Sequence, residues 1–101
     1  MNLVDSSGWV EYFVNGANSE FFAPAIQDNR SLIVPTICLY EVFKRVLSEL
    51  NEEMALQTVG EMLTGLVVDL TQDIAIDAAR ISKEARLAMA DSIILATAQA
   101  Y

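Results

Sequence analysis

The fold is decided by the stretch Leu32-Ile33-Val34-Pro35-Thr36, at positions 32–36, where an apolar and largely β-branched run ends at a proline. Such a run predicts a buried strand, because β-branched side chains suit a pleated sheet and proline ends the hydrogen-bond ladder. Thr36 is a natural N-cap for the long helix that the spacing predicts from there through about Leu50. A strand that leads directly into a helix is the building unit of an α/β domain.

Two similar apolar runs flank this unit, at Asn2–Val4 and Leu66–Val68, and segments with helical spacing follow each run. Connections of that length place successive strands parallel, with right-handed crossovers and helices on both faces of the sheet. We therefore predict an α/β fold with a parallel sheet of at least three strands, forming a single domain over residues 1–101.

Local signals predict where the helices begin and which faces they bury. We expect Ser6 or Ser7 to cap the first helix, Asn51 to act as a hinge or cap, and a later helix to open near Thr71. A helical wheel of the segment that starts at Thr36 places Glu41 off the main apolar stripe. That stripe consists of Leu39, Tyr40, Phe43, Val46, Leu47 and Leu50.

The composition excludes several classes of site. The chain is 53% hydrophobic, which is enough for a core. It contains no histidine, so histidine triads and histidine-ligated zinc sites are excluded. The single cysteine, Cys38, cannot form an internal disulfide and favours a reducing compartment, so we expect a cytoplasmic protein without a membrane segment. A net charge of -8 argues against binding of nucleic acid by bulk charge, but carboxylates that surround a metal ion still permit a nuclease.

Three carboxylates stand in unusually apolar surroundings. Asp5 ends the first apolar run, Glu41 lies within the apolar start of the Thr36 helix, and Asp91 interrupts the apolar block 87–95. Because ligands of an open parallel sheet bind at the carboxyl ends of its strands, we expect the three acids to converge there, within the span of one ion. Each also has a simpler interpretation, Asp5 and Asp91 as helix caps and Glu41 as a solvent-facing residue. Together they favour a site for a hard divalent cation, Mg²⁺ or Mn²⁺.

Three parts of the sequence carry a resemblance to a known family: Val4-Asp5-Ser6-Ser7, Thr36 five residues before Glu41, and the block Ala90-Asp91-Ser92-Ile93-Ile94-Leu95-Ala96-Thr97-Ala98. Together they resemble the PIN domain, and most closely the VapC-type ribonuclease toxins of prokaryotic toxin–antitoxin pairs. The resemblance implies a PIN-like three-layer fold and a Mg²⁺- or Mn²⁺-dependent endoribonuclease. Such a toxin hydrolyses RNA and is neutralised by a cognate antitoxin.

The resemblance also implies roles for individual residues. It carries over Asp5, Glu41 and Asp91 as the catalytic and metal-binding acids, and Ser7 as a hydroxyl that supports the site. The family pattern has a further acid after a strand beyond the Asp91 helix. We therefore expect this chain to be a PIN-like domain truncated at its C-terminus, without the last strands.

Two other interpretations stay open. A phosphatase similar to haloacid dehalogenases also begins with a strand that ends in aspartate, but it requires a second aspartate where this chain has Ser7. A non-catalytic PIN-like module would serve dimerisation or partner binding.

Aromatic and basic residues of the sequence are candidates for contacts with partners. We expect a homodimer through the early helices, with candidate contacts at Trp9, Phe13 and Phe22, for each of which a place in the core is an equal alternative. Lys44, Arg45 and Arg86 are candidates for contacts with RNA phosphates, although lone basic residues on helices are more often solvated or ion-paired.

Overall fold

The computed structural model describes residues 1–101 and contains three strands and six α-helices, with a short 3-10 turn at Asn29–Ser31. The strands are β1 (Asn2–Leu3), β2 (Leu32–Pro35) and β3 (Leu66–Val68). The helices are α1 (Ser6–Phe13), α2 (Ser19–Gln27), α3 (Thr36–Glu49), α4 (Glu52–Met62), α5 (Gln72–Ala85) and α6 (Met89–Ala100). The predicted alternation of strands with helical segments is confirmed, and two helices follow each strand. None of the helices combines the length and the apolar character that crossing a membrane requires.

The three strands form one parallel sheet in the order β1-β2-β3. Asn2 lies opposite Leu32 in the first pair, and Ile33 lies opposite Leu66 in the second. All four residues of the central strand β2 are buried. Since successive side chains of a strand point to opposite faces, both faces of the sheet are covered, as the sequence predicts.

The core is built mainly from β2, α1, α3 and α4, with smaller contributions from α2 and α6. Its largest buried side chain is Trp9, which is 0% exposed and stacks on Phe13 with ring centroids 5.7 Å apart. Trp9 therefore packs inside its own chain, so of its two predicted places the core is correct and the dimer contact is wrong. A second, smaller cluster joins α5 to α6 through Ile74, Ala78, Ile93 and Ala96.

The N-cap of α1 is Asp5 rather than Ser6 or Ser7. Its Oδ1 accepts a hydrogen bond from the Gly8 amide at 2.8 Å, while Ser6 is already the first helical residue. The chain leaves β1 earlier than the apolar run suggests, so the turn into the helix falls at the aspartate. Aspartate is among the best N-caps, because its oxygen satisfies an amide that has no partner within the helix.

Helix α3 begins at Thr36 itself, with Pro35 in the cap position and no capping side chain. The strand thus continues to the proline, and the prediction of Thr36 as the N-cap is wrong. Asn51 and Thr71 do cap α4 and α5, through hydrogen bonds from the amides of the third residue beyond each.

The buried line of α3 differs from the predicted stripe. It consists of Cys38, Val42 and Val46, which stand four residues apart along the helix. Of the predicted stripe, Tyr40 is 60%, Leu47 43% and Leu50 53% exposed. The wheel misplaced the stripe because it weighted large apolar residues, whereas the close approach of α1, β2 and α6 selects the smaller side chains on the neighbouring face.

Candidate active site

The three predicted acids line a single cavity of about 190 Å³. Asp5 stands just beyond β1, Glu41 in the second turn of α3 beyond β2, and Asp91 in the first turn of α6. The carboxyl ends of two adjacent parallel strands and the start of a third element therefore bring them together. The cavity wall consists of Asp5, Ser6, Ser7, Val10, Glu41, Arg45, Asp91 and Ile94.

Asp5 has a structural role and still presents an oxygen to the cavity. Its Oδ1 caps α1 by accepting from the Gly8 amide, and its Oδ2 makes no hydrogen bond within the protein. The side chain is exposed. The cap interpretation and the site interpretation of Asp5 are thus compatible, because each uses a different oxygen.

Glu41 is held in place by a neighbouring hydroxyl. The Ser6 Oγ donates to Glu41 Oε1 at 2.6 Å, and Glu41 is half-buried. This distance is in the range of a charge-assisted O–H···O⁻ hydrogen bond, which is stronger than a neutral one. The bond ties the start of α1 to α3.

The hydroxyl that contacts one of the cavity acids is therefore that of Ser6, whereas the family resemblance points to Ser7. Ser7 lines the cavity but makes no side-chain hydrogen bond. Adjacent residues of a helix face directions about 100° apart, so the choice between the two serines depends on how α1 is rotated against α3. No signal in the sequence specifies that rotation.

Asp91 has no hydrogen-bond partner of its own. It lies in the first turn of α6, whose N-cap position is Ala88, and no side chain caps that helix. The cap interpretation of Asp91 is therefore wrong. The helix dipole favours a carboxylate at this position, and the side chain remains free to face the cavity.

Cys38 lies one helical turn before Glu41, at the buried back of the site. Burial raises the pKa of the Cys38 thiol to about 11; a hydrogen bond with Ser6 lowers it, and the charges of Glu41 and Asp5 raise it further. The thiol is thus protonated at neutral pH. A protonated thiol is neither a nucleophile nor a metal ligand, so the sulfur acts as a small apolar side chain here.

The expectation that all three carboxyl groups lie within the span of one ion is wrong. No three acidic, cysteine or histidine side chains are grouped closely enough to bind one metal ion together. In two of the acids one carboxylate oxygen already accepts a hydrogen bond, in Asp5 from the Gly8 amide and in Glu41 from the Ser6 hydroxyl. The donor set nevertheless fits Mg²⁺ or Mn²⁺ in kind. All of the donor atoms are oxygens, and Mg²⁺ usually binds through one or two carboxylates and several waters.

Comparisons with known proteins show the family and the fold of the chain. The family model of the PIN domain matches residues 3–101. Among solved structures, the chain is similar to a toxin–antitoxin complex from Klebsiella pneumoniae, with 24% identity and a TM-score of 0.80 over 98% of this chain and 78% of that chain. At this identity the likeness concerns the fold. No curated protein matches the sequence.

Proposed function

Since the chain belongs to the PIN domain family, we propose that it is a metal-dependent endoribonuclease toxin that hydrolyses phosphodiester bonds in RNA. The observation that carries the proposal is that Asp5, Glu41 and Asp91 line one cavity at the carboxyl ends of β1 and β2. The similarity to a toxin–antitoxin complex supports the toxin class.

In this proposal one or two of the carboxylates of Asp5, Glu41 and Asp91 would hold the ion together with waters, and the ion would neutralise phosphodiester charge and acidify a bound water. The chain supplies the remaining functions. Ser6 orients Glu41 through its hydrogen bond, and Asp5 contributes Oδ2 while Oδ1 anchors α1. With no histidine in the chain, the three carboxylates are the groups of the cavity that can accept a proton from an attacking water.

The proposed regulator is a cognate antitoxin that meets the toxin in the cytoplasm. The exposed apolar side chains of α3 and α4 support a protein partner on this pair of helices, because such residues form a surface that a partner would bury. The net charge of -8 favours a partner with basic residues. The exposed side chains are Tyr40 and Leu47 of α3, Leu56 of α4, and Leu50 and Leu63, which directly follow the two helices.

We also propose a homodimer through the early helices. Trp9 is buried, but Phe21 of α2 is 80% exposed and packs edge-on against Phe22. This aromatic pair supports a contact between subunits at α2. Sedimentation of the Phe21→Ser variant should show a smaller species than the parent, and a parent that is monomeric at micromolar concentration contradicts the dimer.

The decisive experiment for the activity is cleavage of labelled RNA with Mg²⁺ or Mn²⁺, by the parent, by Asp5→Asn and by Asp91→Asn. Asparagine is as good an N-cap as aspartate, so Asp5→Asn removes the charge and keeps the cap of α1. The control is Asp77→Asn, because Asp77 is an exposed carboxylate on α5 away from the cavity.

We expect cleavage that chelation abolishes, at least a hundredfold loss in both cavity variants, and none in the control. Cleavage by Asp5→Asn at the parent rate contradicts the proposal. A parent that cleaves no RNA but binds a partner supports the second candidate, a non-catalytic partner-binding module, for which the exposed apolar side chains of α3 and α4 are the favouring observation.

A further inference from the structure

One basic side chain stands on the wall of the acidic cavity, that of Arg45. The other five basic residues of the chain lie elsewhere, and Lys44, its neighbour in sequence, places its ammonium over the Tyr40 ring at 5.7 Å from the centroid. The wall thus combines three carboxylates with a single guanidinium. A net charge of -8 gives the chain no overall attraction to RNA. The presence of one cation beside the cavity therefore requires an explanation of its own.

The contacts of Arg45 leave most of its hydrogen-bonding capacity unused. Its Nε donates to Glu49 Oε1 at 3.4 Å, the longest side-chain hydrogen bond of the protein, and both side chains are more than half exposed. Its two Nη groups make no hydrogen bond. Exposed pairs of this i,i+4 kind add little to stability, so the guanidinium can leave Glu49 at small cost.

The geometry of α3 places Arg45 one turn beyond Glu41. Residues four apart on a helix lie on the same face, with their Cβ atoms about 5–6 Å apart. Glu41 itself already accepts from Ser6. Arg45 therefore borders the site one turn along α3 from Glu41, with its fork of Nη donors available to a ligand.

We propose that Arg45 binds a phosphate of the RNA beside the scissile bond, and that it exchanges its pairing with Glu49 for that phosphate. The inference rests on the proposed function and adds a substrate-binding residue to it. A guanidinium binds phosphate through two parallel N–H donors, which a lone ammonium cannot do. It also offsets the repulsion between the cavity carboxylates and the RNA. Glu49 becomes a competitor for the same donors.

The test measures binding of a labelled single-stranded RNA by anisotropy at several salt concentrations, with all variants made in an Asp91→Asn background to suppress cleavage. The variants are Arg45→Gln, Arg45→Lys and Glu49→Gln. The matched controls are Arg80→Gln and Asp77→Asn, which change the same charges in the exposed Arg80–Asp77 pair of α5.

We expect Arg45→Gln to weaken RNA binding about tenfold, as for the loss of one charged hydrogen-bonded contact. The slope of log K against log salt should fall by about 0.7, the contribution of one phosphate contact to a single strand. Arg45→Lys should restore part of the affinity. Glu49→Gln should bind at least as tightly as the parent and more tightly than Asp77→Asn, because it frees the guanidinium.

Equal effects of Arg45→Gln and Arg80→Gln, with unchanged salt slopes, overturn the inference. So does an equal loss in Arg45→Gln and Glu49→Gln, since a purely structural ion pair loses the same contact from either end. Failure of the proposed function is a separate result: the parent chain then cleaves no RNA with Mg²⁺ or Mn²⁺, whatever the binding variants do.

Discussion

Replacing Ser6 by alanine should impair the proposed nuclease more than replacing Ser7. Ser6 Oγ donates to Glu41 Oε1 at 2.6 Å, whereas Ser7 makes no such bond. The alanine side chain cannot donate, so Glu41 loses the one contact that connects it to α1. The two serines are adjacent in sequence, and the Ser7→Ala variant is therefore a closely matched control.

The size of the effect follows from the hydrogen bond. A bond to a charged group contributes about 1.5–3 kcal/mol, and the low end applies here because Glu41 is only half-buried and water can replace part of the contact. About 1.5 kcal/mol corresponds to about a tenfold change in rate. We expect kcat/KM of Ser6→Ala to fall about tenfold, and that of Ser7→Ala to fall less than threefold.

The assay is RNA cleavage under Mg²⁺, with thermal melting to show that both variants are folded. Ser6→Thr keeps a hydroxyl at the same position and should recover most of the activity. If Ser7→Ala loses tenfold while Ser6→Ala keeps the parent rate, Ser7 is the supporting hydroxyl, as the family resemblance implies, and the contact from Ser6 to Glu41 has no role in the reaction.

Three further predictions concern stability. Burial raises the pKa of the Cys38 thiol from 9.0 to about 11 in the folded chain. The protonated thiol therefore makes its full contribution to the free energy of unfolding below pH 9, and that contribution is lost as the pH rises to 11. Over that interval the free energy of unfolding of the parent should fall by about 2–3 kcal/mol more than that of Cys38→Ala, as measured by urea unfolding; parallel curves would contradict this. Gly60→Ala should raise the free energy of unfolding by about 0.5–1 kcal/mol, because the new Cβ meets nothing within 4 Å and the helix interior favours alanine. Gly8→Ala should lower it by about 1–3 kcal/mol, because its Cβ would stand 2.7 Å from Val4 Cγ1; a denaturant midpoint at or above that of the parent would show that α1 shifts freely.

Much of the fold could be predicted because its signals are local. The run Leu66–Val68 becomes β3 with the predicted bounds, and Asn51 caps α4 through contacts with residues close in sequence. The cap of α1 was misplaced because an aspartate and two serines in succession are all good caps. Only the point at which the chain leaves β1 selects Asp5.

The candidate site could likewise be predicted only where the signals are local. The apolar surroundings of Asp5, Glu41 and Asp91 indicated residues that meet at one cavity. Their separation, the contact of Ser6 with Glu41 and the place of Arg45 on the wall depend on the rotation of α1, α3 and α6 against each other. Such rotations follow from packing between distant parts of the chain, which a single sequence does not display.

The order in which the acids occur along the chain has a consequence during synthesis. Asp5 follows the first strand, whereas Asp91 lies in the first turn of α6, which reaches the cavity through packing on α3 and α5. Contacts between such distant residues form late, because a long loop must close before they gain any stability. A nascent chain on the ribosome therefore carries two of the three acids without the cavity they share. If the proposed toxin acts on RNA, it stays harmless to the ribosome that makes it until α6 has emerged from the exit tunnel and packed.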